Sequence, residues 1–152
     1  MTTYLKTPLG IARIKGDNDG VSEIKIQEKN IDFEESKELP DCVFQAKNQL
    51  QDYFLQKRKS FDFKLNPKGT PFQQKVWMAL LEIPFGKTCS YMELSKKLGD
   101  PKAIRAVASA NGKNPLWIVV PCHRVIGSDG SLTGYAGGPY RKKWLLALEI
   151  YS

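Results

Sequence analysis

The sequence predicts a mixed α/β (α+β) protein. A small β-rich module with one helix spans residues 1–66, and a mostly helical domain with a helix-turn-helix pattern spans residues 67–152. Three observations predict this. Short alternating segments punctuated by Pro and Gly fill the first 27 residues, apolar residues return at helical spacing after Pro40, and beyond residue 66 capped helical stripes alternate with turns. A chain of 152 residues with 41% hydrophobic and 11% aromatic content suits one compact domain or a small module joined to another.

Thr3–Thr7, Gly10–Lys15 and Val21–Gln27 read as strands of an antiparallel meander, broken by Pro8, Gly10 and the turn Gly16-Asp17-Asn18-Asp19-Gly20. From Pro40 to Lys59 the period becomes helical, with Val43, Phe44, Ala46, Leu50, Phe54 and Leu55 assigned to one face. This module ends near Phe61-Asp62-Phe63, and Asn66-Pro67-Lys68-Gly69 is the expected linker.

Thr70 caps a helix with Pro71 in its first turn, and over 72–83 the stripe is Val76, Trp77, Leu80 and Leu81. Pro84-Phe85-Gly86 ends it. Ser90 caps a short helix from Tyr91 to Leu98, Gly99-Asp100 makes a turn, and Pro101 opens a helix through Ala103, Ile104, Val107 and Ala108. Such a pair resembles a helix-turn-helix, and Lys102, Arg105 and Lys113 make its second helix basic. Leu116 to Val120 reads as a buried strand that Pro121 stops.

Charge divides with pattern. Residues 1–65 carry 11 Lys/Arg and 11 Asp/Glu, whereas residues 66–152 carry 12 and 5, so the whole +7 excess lies in the second part. That part suits a polyanion, nucleic acid first and an anionic membrane surface second. No apolar run approaches the ~20 residues of a membrane span, and no secretory signal pattern opens the chain, so a cytoplasmic location is expected. Cys42, Cys89 and Cys122 form an odd set without CxxC spacing, and the one histidine, His123, is too little for a usual zinc site; neither disulfide, metal nor cofactor is expected.

Pro121-Cys122-His123-Arg124 places the one histidine beside a cysteine at the end of an apolar run. Cysteine attacks as thiolate and needs a cation, a histidine or a helix N-terminus to lower its pKa, and His123 and Arg124 are the candidates nearby. On an extended strand, neighbours point to opposite faces, so Cys122 and His123 can cooperate only on a helical turn or through an intervening water. Taken alone, such a pair is more often structural than catalytic.

The surroundings are more specific. "PCHRV" at 121–125 follows "NPLWIVV" and precedes "GYAGG" at 134–138 and "KWLLALE" at 143–149; "GTPFQQKVW", "IPFGKTCSY" and "RAVASANGKNP" lie upstream in order. From about Thr70 to Glu149 the chain resembles the O6-alkylguanine-DNA alkyltransferases, and residues 1–66 match their variable N-terminal module in size and element order. The resemblance implies a ribonuclease-H-like sheet plus helix in the first module and a winged-helix-like second domain. It implies a monomer that binds duplex DNA, flips an O6-alkylguanine, and O4-alkylthymine as a further substrate, and moves the alkyl group irreversibly to its own cysteine.

Residue by residue, Cys122 matches the alkyl acceptor, His123 a base reached through water, and Glu149 the carboxylate that orients it. Tyr91 matches a donor to the guanine N3 that also pushes the neighbouring phosphate, and Ala136 a backbone donor to O6 where the family often has serine. Val125 matches a backbone carbonyl that reads the exocyclic amine, Lys142 and Tyr135 residues of the base pocket, and Asn114 an asparagine bracing the cysteine turn. Arg105 matches the arginine that fills the gap left by the flipped base, with Ser90 and Lys102 beside the DNA. Gly134, Gly137 and Gly138 would shape the loop over the base. The alternatives are a binding-only damage sensor of the alkyltransferase-like kind, whose relatives lack the cysteine, and a thiol hydrolase using Cys122 and His123.

Overall fold

The computed structural model describes residues 1–27, 35–132, 135 and 138–151. They fall into two compact units, Met1–Lys68 and Gly69–Ser152. None of the described helices is long and apolar enough to cross a membrane.

In the first unit β1 (Thr2–Thr7), β2 (Gly10–Asp17) and β3 (Gly20–Gln27) form an antiparallel sheet in sequence order. Alternation puts Thr3 and Leu5 of β1 and Ala12 and Ile14 of β2 inside. Ile14 faces Ile24 across the ladder, but a bulge then pairs Lys15 with Glu23 and Gly16 with Val21. The extra residue, Ser22, explains why Val21 and Ile24 are both buried although three positions apart. Gly20 sits at φ 140°, and a side chain there would meet the Leu65 carbonyl carbon at 2.8 Å, where residues 64–66 return to hydrogen-bond Val21.

One helix, α1 (Asp41–Phe54), covers the sheet with Cys42, Val43, Ala46, Gln49, Leu50 and Tyr53. Phe44 and Leu55, expected on this inner face, are 57% and 55% exposed. Val43, Ala46, Leu50 and Tyr53 step by three and four residues and define the buried stripe, whereas Phe44 and Leu55 project from the far side of the turn. Buried Gln49 is paired at both ends of its amide with Asp62, which ties 61–63 to the helix.

The second unit opens with α2 (Pro71–Leu80). Thr70 and Gln73 form a reciprocal capping box, and Pro71 takes the position where a missing N–H costs nothing. Val76, Trp77 and Leu80 are buried, and the Trp77 indole donates to the Ala110 carbonyl at 2.9 Å. The helix stops at Leu80 rather than Ile83, because Glu82 and Ile83 bond back to Ala79 and Leu80 in a tighter turn; Leu81 leaves the stripe and is 46% exposed.

A two-residue strand, β4 (Cys89–Ser90), runs into α3 (Tyr91–Lys97), capped by a second capping box from Ser90 and Glu93. Gly99 at φ 88° turns the chain, and Asp100 accepts from Lys102 N at the next start. The helix expected from Pro101 is a 3-10 turn, Pro101–Ala103, leading into α4 (Ile104–Gly112), which packs on α2 and α3.

Leu116–Val120 is buried as expected but is not a strand. Ile118 has φ 71°, Val119 N bonds to Trp117 O, and Val120 N bonds to Leu116 O. The Asn114 side chain accepts from Leu116 N at 2.9 Å and donates to Val120 O at 2.7 Å, so one amide bonds the backbone at both ends of the run. A 3-10 turn, Cys122–Arg124, then leads to β5 (Val125–Ile126), parallel to β4, and α5 (Pro139–Ile150) completes the unit.

Candidate active site

The turn Cys122–Arg124 holds three consecutive side chains that are almost wholly buried: Cys122 is 1%, His123 0% and Arg124 6% exposed. A 3-10 turn frees adjacent residues from the strict alternation of a strand, the condition under which Cys122 and His123 can serve one centre. From α5, Lys142, Leu145 and Glu149 form the inward stripe, so two of its three members are charged.

Glu149 organises the interior. His123 Nε2 donates to its Oε2 at 2.5 Å, Arg124 Nε to Oε1 at 2.7 Å and Nη2 to Oε2 at 3.2 Å, and the Gly86 amide to Oε1 at 3.3 Å. Burial works against the charged carboxyl, but the bonds from His123 and Arg124 hold it down to about 2. Burial dominates at His123 and keeps its pKa below the ordinary value despite Glu149, with the Arg124 and Lys142 charges acting the same way. The imidazole is therefore neutral at neutral pH. A neutral ring that donates from Nε2 must carry its lone pair on Nδ1, and Nδ1 is buried without a hydrogen-bond partner among the described residues. Nδ1 is the basic atom of the site.

Burial pushes the Cys122 thiol up to about 11, opposed by a hydrogen bond with Asn114 and by the charge of Lys142. The resting sulfur is a thiol. Arg124, a sequence candidate for lowering this pKa, instead forks onto Glu149, donates from Nη1 to Ile83 O at 2.7 Å and lies over the Phe85 ring. The cation acting on Cys122 is Lys142, which is fully buried with its ammonium 5.7 Å from the Tyr91 ring centroid and 5.9 Å from that of Tyr135. Burial brings its own pKa down to about 8.

Cys122, His123, Glu149, Asn114, Tyr91, Tyr135 and Lys142 thus come together. Val125 is buried at the start of β5 opposite Cys89, and the Ser90 hydroxyl accepts from Glu93 N as the α3 cap. Arg105 and Lys102 stand apart and exposed, on α4 and the turn before it. Ala136, Gly134 and Gly137 lie outside the described residues. Two functional side chains were not singled out as such from sequence. One is Arg124 as the counter-ion of Glu149. The other is Asn111, wholly buried on α4, whose signal is an amide at helical spacing within the stripe Val107, Ala110, Asn114.

The fold and site define an α/β protein with a buried cysteine, a carboxylate-bonded imidazole in the next residue and, after a tight turn, a helix that exposes Arg105. Residues 71–150 match the family model described as 6-O-methylguanine DNA methyltransferase, DNA binding domain. The chain is 47% identical to the methylated-DNA–protein-cysteine methyltransferase of Methanosarcina acetivorans, over 95% of this chain and 94% of that protein. It is 46% identical to the constitutive one of Bacillus subtilis, over 99% and 95%. The crystal structure of Mycobacterium tuberculosis OGT in complex with DNA superposes with a TM-score of 0.86 at 43% identity, covering 97% of this chain and 92% of that one. The chain belongs to the O6-methylguanine DNA methyltransferase family.

Proposed function

We propose that the protein is a methylated-DNA–protein-cysteine methyltransferase that directly reverses O6-alkylguanine in duplex DNA, with Cys122 as acceptor. The observation that carries this reading is the buried Cys122–His123–Glu149 set, in which Glu149 fixes the imidazole tautomer and leaves Nδ1 as base.

In the reaction His123 Nδ1 takes the thiol proton through a bridging water, and Sγ attacks the saturated alkyl carbon on O6. The S–C bond forms as the C–O6 bond breaks, the electron pair leaves with the guanine, and the thiol proton returns to the ring at N1. No tetrahedral oxyanion arises, so stabilisation falls on the leaving base: the Tyr91 hydroxyl donates to N3 and the Ala136 amide to O6. Lys142 favours the thiolate, and with Tyr135 and the Val125 carbonyl it lines the base pocket. Flipping costs a few kcal/mol of stacking and pairing, which Arg105 offsets by entering the stack from the minor groove, with Ser90 and Lys102 at the backbone. Asn114 braces the acceptor turn. A thioether is a poor leaving group, so each chain acts once.

This reading carries a division at residues 66/67, a ribonuclease-H-like first domain, a winged-helix-like second domain, action as a monomer and an intracellular, nucleoid-bound location. The binding-only alternative gives no role to a buried thiol with a tautomer-fixed base in the next residue. Incubation with an O6-methylguanine duplex tests the proposal: the peptide containing Cys122 gains one methyl, and a Cys122→Ser chain binds the lesion without transfer. No gain on that peptide contradicts it.

A further inference from the structure

Asn111 is fully buried at the C-terminal end of α4, with its Nδ2 3.3 Å from the Tyr91 hydroxyl and 3.4 Å from the backbone oxygen of Cys122. These are long bonds, but their chemistry is decisive. A backbone carbonyl can only accept, so the amide atom facing Cys122 O must be the NH2 group. The same nitrogen then donates to the Tyr91 oxygen, which must accept from it. The Tyr91 proton is consequently turned away from Asn111.

We infer that Asn111 is a positioning residue for alkyl transfer: it holds Tyr91 Oη as an acceptor on its inner side, so that its proton points outward as a donor to the flipped base. The inference rests on the reading of Tyr91 as donor to the guanine ring. One amide thereby fixes the donor to the leaving base relative to the backbone of the residue that attacks it. Burial raises the Tyr91 pKa and the Asn111 bond opposes that rise, which keeps the hydroxyl a better donor than its burial alone would allow. Asn111 lies on the same nine-residue helix as exposed Arg105, so the part that meets DNA and the part that orients the donor belong to one rigid element. An apolar residue would fill the space equally well but leave the hydroxyl to rotate. An aspartate would reverse it, since a carboxylate takes the Tyr91 proton for itself.

Single-turnover methyl transfer by the full chain tests this. Asn111→Ala slows transfer about tenfold at saturating duplex, while Kd for the lesion duplex stays within about twofold. Asn111→Asp is slower still, although it matches asparagine in size. Combined with Tyr91→Phe, Asn111→Ala adds no more than about a twofold loss, from its bond to Cys122 O, because its main effect runs through the hydroxyl already removed. Rates of both Asn111 variants within about twofold of the parent, or losses that multiply in the double variant, overturn the inference. If the parent transfers and Tyr91→Phe matches its rate, alkyl transfer stands and this inference falls; a parent that leaves Cys122 unmethylated overturns both. Should the Asn111 variants not fold, the Asn111 side-chain amide resonances decide: they move in Tyr91→Phe, and unmoved resonances overturn the assignment.

Discussion

The interiors of the two units are built from different materials. Among the described residues, the buried polar side chains of Met1–Lys68 are Thr3 and Gln49, and each is matched to a partner carried by its own unit. Among the described residues, Gly69–Ser152 buries Ser95, Asn111, Asn114, His123, Arg124, Lys142 and Glu149, four of them ionisable. The first interior gains its stability from apolar area, at about 1.5–3 kcal/mol for each fully buried Val, Leu or Ile. The second holds charges out of water at a cost that apolar packing would not incur. A site that needs a neutral imidazole, an ionised carboxylate and a lowered lysine within one small volume cannot also be an optimal core.

Glu149→Gln breaks this contrast most severely. It leaves the Arg124 guanidinium buried without its counter-ion, a loss of about 3–5 kcal/mol, and it releases the His123 tautomer, slowing transfer at least about 100-fold. Leu50→Ala, a cavity in the first unit, costs a comparable 2–5 kcal/mol or so, yet chains that remain folded transfer at the parent rate. Chemical denaturation and single-turnover transfer on both variants separate the two kinds of loss.

Lys142→Met is expected to act in the opposite direction on stability. The lysine pKa is about 8 folded against 10.5 ordinarily, so at pH 7 its burial costs roughly 2–3 kcal/mol, which methionine recovers while transfer slows. The sign follows from proton binding. Between pH 8 and 9 the unfolded chain holds more protons at this lysine, so parental stability rises with pH there until the raised Cys122 thiol opposes it, and in Lys142→Met that rise is absent. His123 behaves similarly at the acid end: its lowered folded pKa makes stability fall as pH drops below 6.5. Denaturation curves from pH 5 to 10.5 read both slopes.

The smallest effect belongs to the first unit's surface. Phe44→Gln changes stability by no more than about 0.5 kcal/mol, because the ring is already largely in water. A loss near the cavity range would instead restore Phe44 to the core.

What sequence made legible follows the same divide. Period-2 alternation located the meander, and Thr70 and Ser90 located two helix starts, because these signals are local. Phe44, Leu55 and Leu81 lie off the buried faces that periodicity predicts, since a helix face is decided by what packs on it. The Leu116–Val120 run has the apolar pattern of a strand, and nothing local announces that the Asn114 amide will bond both its ends or that a β-branched residue, Ile118, will take φ 71°. At the site, Cys122 and His123 were visible as a pair, whereas Glu149 came only with the family resemblance, 26 positions away on another helix. The Arg124–Glu149 pairing leaves no periodic trace, since it joins two elements, whereas Asn111 is marked by its helical spacing but its partners Tyr91 and Cys122 lie on other elements.

The second interior accepts its instability and in return moves one alkyl group to one sulfur. Mass spectrometry after incubation with excess O6-methylguanine duplex tests it most directly. One methyl per chain is expected, carried by Cys122 and absent from Cys42 and Cys89, with no further lesions repaired once that sulfur is filled. An unmodified Cys122, or repair that continues beyond one lesion per chain, would contradict it.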